Sequence, residues 1–325
     1  MNFRLVELER WLGAQFPSLP CTLAAASADA SFRRYFRARL ADGRSFIVMD
    51  APPAREDCRP FLHVAGLFAA AGVHVPAIHS QDLTAGFLLL EDLGDTTFLD
   101  GFTRKHDPKP LYAAATDALI RIQRASRPGV LPEYDRALLE RELNLFPDWY
   151  ITRELRRELA PQDRQVLRAA FEALLVNNLA QARVFVHRDY HSRNLMLSEP
   201  LPGVLDFQDA VYGPVTYDLV SLLRDAYVSW DEEQVIDWAA RYWEKARNAG
   251  LPVRADFAEF YRDFEWMGAQ RQLKVAGIFA RLCHRDGKQR YRADMPRVLE
   301  YLSTTCRRYR ELAALARLLD DLAAP

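Results

Sequence analysis

The chain has 325 residues, half of them apolar and 27% charged, enough to bury a sizeable core without disulfide or metal staples. Lys and Arg total 43 against 44 Asp and Glu, so no general charge draws the chain to nucleic acid or an anionic membrane. Cys21, Cys58, Cys283 and Cys306 are widely spaced with no Cys-x-x-Cys pair, so neither a zinc site nor a disulfide framework is suggested.

Residues 1–18 carry Arg4, Glu7, Glu9 and Arg10 inside an apolar pattern, which predicts an amphipathic helix rather than a signal peptide. No apolar run reaches the ~18 residues of a membrane span, so the cytoplasm is the expected location. The next stretch reads as β-rich. Residues 34–40 and 45–49 predict two strands joined by Asp42-Gly43, a dipeptide that accepts the positive φ of a tight hairpin. A helix is predicted over 56–71, with Phe61, Val64, Leu67 and Phe68 on one face. An extended stretch begins at Pro76, and residues 86–90 predict a buried strand. Beyond Gly94 helical patterns take over, at 109–126, 134–156, 161–181, 214–229, 232–249, 256–283 and 293–319. One β-rich island, 183–207, interrupts them. The expected fold is α+β and bilobal: a small β-rich lobe over 1–93, and a large helical lobe over 94–325 holding the catalytic loop and the acceptor site.

The island carries the chemistry. His187-Arg188-Asp189 and Asn194 complete the pattern H-R-D-x-x-x-x-N, and Asp206-Phe207 follows twelve residues after Asn194, beyond an apolar strand. Phosphoryl transfer needs positioning and charge neutralisation, and magnesium takes hard oxygen ligands from one or two carboxylates plus phosphates. Asn194 and Asp206 supply an amide oxygen and a carboxylate, leaving Asp189 to accept a hydroxyl proton. A second His-Arg-Asp, at 284–286, has Tyr291 where the Asn should stand and reads as a helix end with solvated charges. Neither a P-loop nor a G-x-G-x-x-G occurs.

With these residues the chain resembles the aminoglycoside phosphotransferase family, kinases of the protein-kinase-like fold. The strings Asp29–Arg37, Val48–Pro53, Leu90–Gly94, Glu142–Trp149 and Met267–Lys274 look like a branch that phosphorylates amino sugars at the anomeric hydroxyl in cell-wall recycling. The resemblance implies ATP and Mg2+ as cofactors, N-acetylmuramate and N-acetylglucosamine as acceptors, and neither nucleic acid nor membrane as a partner. It implies Asp189 as base and Asn194 and Asp206 as magnesium ligands. It further implies Glu91 to Leu93 as the hinge that meets adenine, and His187 and Asp218 as supports of the catalytic loop.

Two departures stand out. Met49 holds the place of the lysine that normally meets the α- and β-phosphates, and Ser27–Ser31 replaces the glycine loop. Phosphate donors are then sought among the backbone of 28–31, Ser31, Arg33 and Arg34, with only one of the two arginines expected to face ATP because strand residues alternate. Candidates at the acceptor are Glu142, Trp149, Gln208, Trp266, Gln270 and Arg271. Residues 261–310 hold twelve Lys/Arg and five Asp/Glu, a surplus of seven that suits an anionic acceptor better than a polycation. Alternative readings are a kinase for an aminoglycoside, an amino alcohol or another sugar, and a non-catalytic nucleotide-binding scaffold.

Overall fold

The computed structural model describes residues 3–27 and 32–323. Ser31 and the backbone of 28–31, expected to meet phosphate, lie outside the described residues. The chain divides into two compact units, one of residues 1–97 and 196–209, the other of 98–195 and 210–325.

In the first unit, α1 (Phe3–Gln15) precedes β1 (Cys21–Ser27), β2 (Arg34–Leu40) and β3 (Ser45–Asp50). Next come α2 (Arg59–Ala70), β4 (Ile78–Asp82) and β5 (Phe87–Glu91). The strands form one sheet of order β1-β2-β3-β5-β4, each neighbouring pair antiparallel. Gly43 closes the β2–β3 hairpin at φ +88°, a region that glycine enters without steric cost. The register puts Arg34, Asp50 and Phe87 abreast, then Tyr35, Met49 and Leu88 one residue on. Adjacent rows face opposite sides of the sheet. The Phe36–Val48–Leu89 face meets Leu8 and Leu12 of α1 in one apolar cluster. The helix expected over 56–71 begins later, at Arg59, with Pro60 in its first turn. β1, with its Ala-rich sequence, has little strand propensity of its own and was not expected.

The second unit is mostly helical. It contains α3 (Phe98–Thr103), α4 (Pro108–Arg124), α5 (Arg136–Leu143), a π-helical segment (Phe146–Glu154) and α6 (Pro161–Leu179). β6 (Arg183–Val186) then leads to the catalytic loop. β7 (Leu195–Met196) and β8 (Gly203–Val204) form a small two-stranded sheet as the chain passes back through the first unit. β9 (Val211–Pro214) pairs antiparallel with β6. After it come α7 (Tyr217–Leu223), α8 (Glu232–Asn248), α9 (Phe257–His284), α10 (Met295–Arg308) and α11 (Ala313–Ala323). The single helix expected over 134–156 is instead α5 plus the π-helical turns, which begin beside Pro147. The helix expected over 293–319 is likewise broken, by an extended residue at Tyr309. α7 is shorter than the expected 214–229.

α9 is the central element. It is capped by Asp256, whose carboxylate accepts from the Glu259 amide at 3.0 Å, and it is buried along most of its length. Gly277 lets the backbone before the π-helical segment approach it: a Cβ there would lie 2.4 Å from the Leu145 carbonyl. Gly277→Ala is therefore expected to destabilise the protein by about 1–3 kcal/mol through overpacking. Gly66→Ala, at an exposed position of α2 with nothing within 4 Å of its Cβ, should instead gain up to about 1 kcal/mol. Urea unfolding midpoints of the two variants check both signs.

Candidate active site

The loop that leaves β6 is held by carboxylates rather than by strand pairing. Asp218, in the first turn of α7, accepts from the His187 amide at 2.7 Å and from the Arg188 amide at 3.0 Å, one oxygen each. Burial pushes the Asp218 carboxyl up to about 7, against the pull of these two amides. Arg188 itself sits at φ +78°, a conformation that a non-glycine residue keeps only when its surroundings over-determine it. Farther along, the Asp189 carbonyl accepts from the His191 amide at 3.0 Å and from Asn194 Nδ2 at 2.9 Å. Buried Asp225 accepts from the Ser192 and Tyr227 amides, each at 2.8 Å. Both predicted supports, His187 and Asp218, thus lie at the base of this loop, and Asn194 closes it onto Asp189.

Asp189 is half-buried. Burial would raise its carboxyl, but the charges of Lys274, His191, Arg271 and Arg188 outweigh that and hold it below the ordinary carboxylate range. At neutral pH it is an ionised, fixed acceptor for a proton.

Arg188 and Lys274 owe their burial to Glu142. Arg188 Nη2 lies 2.6 Å and Lys274 Nζ 3.0 Å from the same oxygen, Oε1, while Tyr134 OH donates to Oε2 and Gln270 Nε2 reaches it at 3.4 Å. Lys274 Nζ also donates to Tyr217 OH at 2.9 Å. Glu142 was expected among the groups that meet the acceptor. Its oxygens are instead engaged by these four donors, so it is an internal counter-ion. Gln270 shares that engagement. Trp149 lies half-buried in the π-helical segment, and Trp266 is buried under the Arg262 guanidinium, 4.6 Å from the ring centre.

In the first unit, exposed Asp206 follows β8 at φ +61° and accepts from Gln208 Nε2 at 2.8 Å. Gln208, expected at the acceptor, is therefore partnered with the predicted metal ligand. Phe207 anchors the pair beneath α2, its ring 4.9 Å from Phe61. Arg34 joins Arg4 on buried Asp50, whereas Arg33 Nε donates to Glu56 at 3.1 Å. The two arginines thus have different partners. Met49 is wholly buried. At the hinge, the Glu91 side chain accepts from the Ala77 amide at 3.1 Å, and Leu93 is buried.

Sequence reasoning gave no role to Asp225, Glu56, Tyr134 or Lys274. A signal existed for Asp225, a carboxylate closing the apolar run Leu219–Leu223, where only a hydrogen-bonded charge is tolerated. The second His-Arg-Asp is an exposed helix end, with Arg285 paired to its neighbour Asp286 at 2.7 Å.

Asn194 and Asp206 are hard oxygen donors of the type magnesium takes. Magnesium commonly takes only one or two protein carboxylates and completes its shell with phosphates, and the chemistry of these two side chains fits that kind of donor.

A kinase-type loop, its bracing aspartate, a β-rich unit and a helical unit are together the features of a phosphotransferase. The chain belongs to the phosphotransferase enzyme family, whose model matches residues 22–260. It is 53% identical over 322 residues to the N-acetylmuramate/N-acetylglucosamine kinase of Neisseria meningitidis serogroup B, covering 98% of this chain and 96% of that one. Among solved structures, a choline/ethanolamine kinase family protein from Mesorhizobium loti matches with a TM-score of 0.64 at 15% identity, covering 97% of this chain and all of that one. ADP-bound aminoglycoside phosphotransferase APH(2'')-Ib matches with a TM-score of 0.59 at 14% identity, over 94% of this chain and 99% of that one. No helix among the described residues is long and apolar enough to cross a membrane.

The Glu142 cluster sets a stability expectation. Burial tends to raise the Glu142 carboxyl, but Lys274 and Arg188 overcome this and leave it below its ordinary value. A lowered carboxyl contributes stability that is present above the ordinary Glu value of about 4.3 and is lost as pH falls through the folded-state value. Glu142→Gln strands buried Lys274 and half-buried Arg188 and is expected to cost about 3–5 kcal/mol at pH 7. The deficit should shrink at acid pH, where the wild type loses the same contribution. Denaturant melts of both proteins across pH 3–7 measure it.

Proposed function

We propose that this protein transfers the γ-phosphoryl group of ATP to the anomeric hydroxyl of N-acetylmuramate and N-acetylglucosamine, giving sugar 1-phosphates for peptidoglycan recycling in the cytoplasm. The observation that carries the reading is the braced loop 187–194, with ionised Asp189 held between Asp218 and Asn194, in a chain half identical over its length to kinases named for those two sugars.

Asp189 orients the acceptor hydroxyl and takes its proton as the oxygen–phosphorus bond forms, while the bond from the γ-phosphorus to the bridging oxygen breaks and ADP leaves. An anomeric hydroxyl is more acidic than an ordinary alcohol because the ring oxygen withdraws charge. A carboxylate held below its usual range suffices for it, since phosphoryl transfer proceeds through a loose transition state with little demand for a strong base. Asn194 and Asp206 would hold magnesium, which when bound would neutralise negative charge on the phosphates. The hinge at Glu91 to Leu93 receives adenine through its backbone.

Arg33 takes the part of the absent lysine. It is fixed by Glu56 just before α2, an arginine–carboxylate pair of the kind by which kinases fix their phosphate-binding lysine. Arg34 instead shares buried Asp50 with Arg4 and is assigned no phosphate role. Ser31 and its neighbouring amides remain proposed phosphate donors. Trp149 and Trp266 are proposed to flank the sugar.

Asp189→Asn should fold and bind nucleotide but lose about 10²–10⁴-fold in kcat. Asp206→Ala should abolish magnesium-dependent ATP binding, and Asp286→Ala should change nothing. Steady-state kinetics with both sugars, together with calorimetry of ATP with magnesium, read all three. Asp189→Asn within tenfold of wild type, or equal losses at Asp206 and Asp286, would contradict the assignment.

A further inference from the structure

Among the described residues three Lys or Arg side chains are buried: Arg224, Arg271 and Lys274, at 9%, 3% and 6% exposure. Arg224 is paired with Glu232 at 2.7 Å and Lys274 with Glu142 at 3.0 Å. Arg271 forms no hydrogen bond or ion pair with any described residue, and its buried Nε lacks a partner. A guanidinium taken out of water without an anion costs several kcal/mol, which is why buried charges are almost always paired. In the surrounding basic stretch Arg281, only half-buried, also has a buried Nε without a partner, but most of the other arginines are paired. Arg262, Arg292, Arg297, Arg307 and Arg308 are all neutralised by carboxylates. The positive surplus read from the sequence is thus largely cancelled in the fold, and what survives inside is one side chain.

Its place gives the vacancy meaning. Arg271 follows Gln270 on α9, one turn before Lys274, and its charge acts on Asp189, Asp218 and His191. Two further buried atoms of the catalytic loop, His191 Nδ1 and Ser192 Oγ, also lack partners, as does Gln270 Oε1. Buried polar atoms left without partners are rare in a native structure, and each calls for an explanation such as a ligand or an ion. His191 and Ser192 follow Asp189 in the loop, and Gln270 and Arg271 are adjacent on α9.

We propose that Arg271 is the receptor for an oxyanion at the point of transfer, its guanidinium fork taking two oxygens of one anionic group. The inference rests on the sugar-kinase reading above. The anion has two possible sources of shared chemistry: the phosphoryl group in transit, common to both acceptors, and the lactyl carboxylate that distinguishes N-acetylmuramate from N-acetylglucosamine.

The test is Arg271→Gln beside Arg271→Lys, with full kinetics on both sugars and thermal melts of each protein with inorganic phosphate or lactate added. If the anion is the phosphoryl group, Arg271→Gln lowers kcat about 10²–10³-fold on both sugars alike. If it is the lactyl carboxylate, KM for N-acetylmuramate rises about 10–100-fold while N-acetylglucosamine is unchanged. In either case Arg271→Lys recovers part of the loss, and phosphate or lactate stabilises the wild type more than Arg271→Gln. Unaltered kinetics in a folded Arg271→Gln protein would overturn the proposal and leave the sugar-kinase reading intact. Wild type that turned over neither sugar would overturn that reading, and the anion-dependent melts would then decide on Arg271 alone. Equal stabilisation of both proteins by phosphate and by lactate would refute it.

Discussion

Arg188 holds a left-handed backbone conformation inside a buried loop, and much of the second unit is arranged to keep it there. Its amide and that of His187 are both taken by Asp218, and its guanidinium is taken by Glu142. A backbone of this kind costs about 1–3 kcal/mol and persists only when its neighbours enforce it. Enforced, it delivers Asp189 in one orientation. Asp206, the proposed metal ligand of the other unit, also stands at positive φ, and its neighbour Phe207 pins it beneath α2. Positive φ thus occurs at Asp206 itself and at Arg188, the residue before Asp189.

The charges around this loop form a chain of dependencies. Glu142 is the carboxylate that Arg188 and Lys274 share. Lys274, so held, is the largest charge opposing the burial of Asp189. α9 supplies Lys274, Gln270 and Arg271 from adjacent turns of one helix, so its position fixes three polar groups at once. That position depends in turn on Gly277, whose missing side chain admits the backbone at Leu145. Packing far from the reacting atoms therefore governs the electrostatics of the base.

Much of this was legible in the sequence, for identifiable reasons. The spacing from His187 to Asn194 and on to Asp206 encodes chemistry, and chemistry tolerates few residue types. The β2–β3 hairpin was legible because Asp42-Gly43 is a local turn signal flanked by strand formers. What escaped notice was set by tertiary context. β1 is Ala-rich and is a strand only because β2 pairs with it. The break at Pro147 falls inside an apolar period that reads as continuous helix. Glu142 looks like a sugar-binding carboxylate in a string, and only the approach of α9 shows that its oxygens are engaged. The excess of basic residues between 261 and 310 promised an open cationic surface, yet carboxylates from elsewhere in the chain cancel most of it.

The central claim is that the braced Asp189 directs phosphate to the anomeric oxygen. Phosphorus-31 NMR of the product from ATP and N-acetylmuramate tests it most directly. A phosphate on C1 is split by the single anomeric proton, and that splitting is the expected result. A phosphate on C6, coupled to two methylene protons, would contradict the account and leave only a kinase of another hydroxyl.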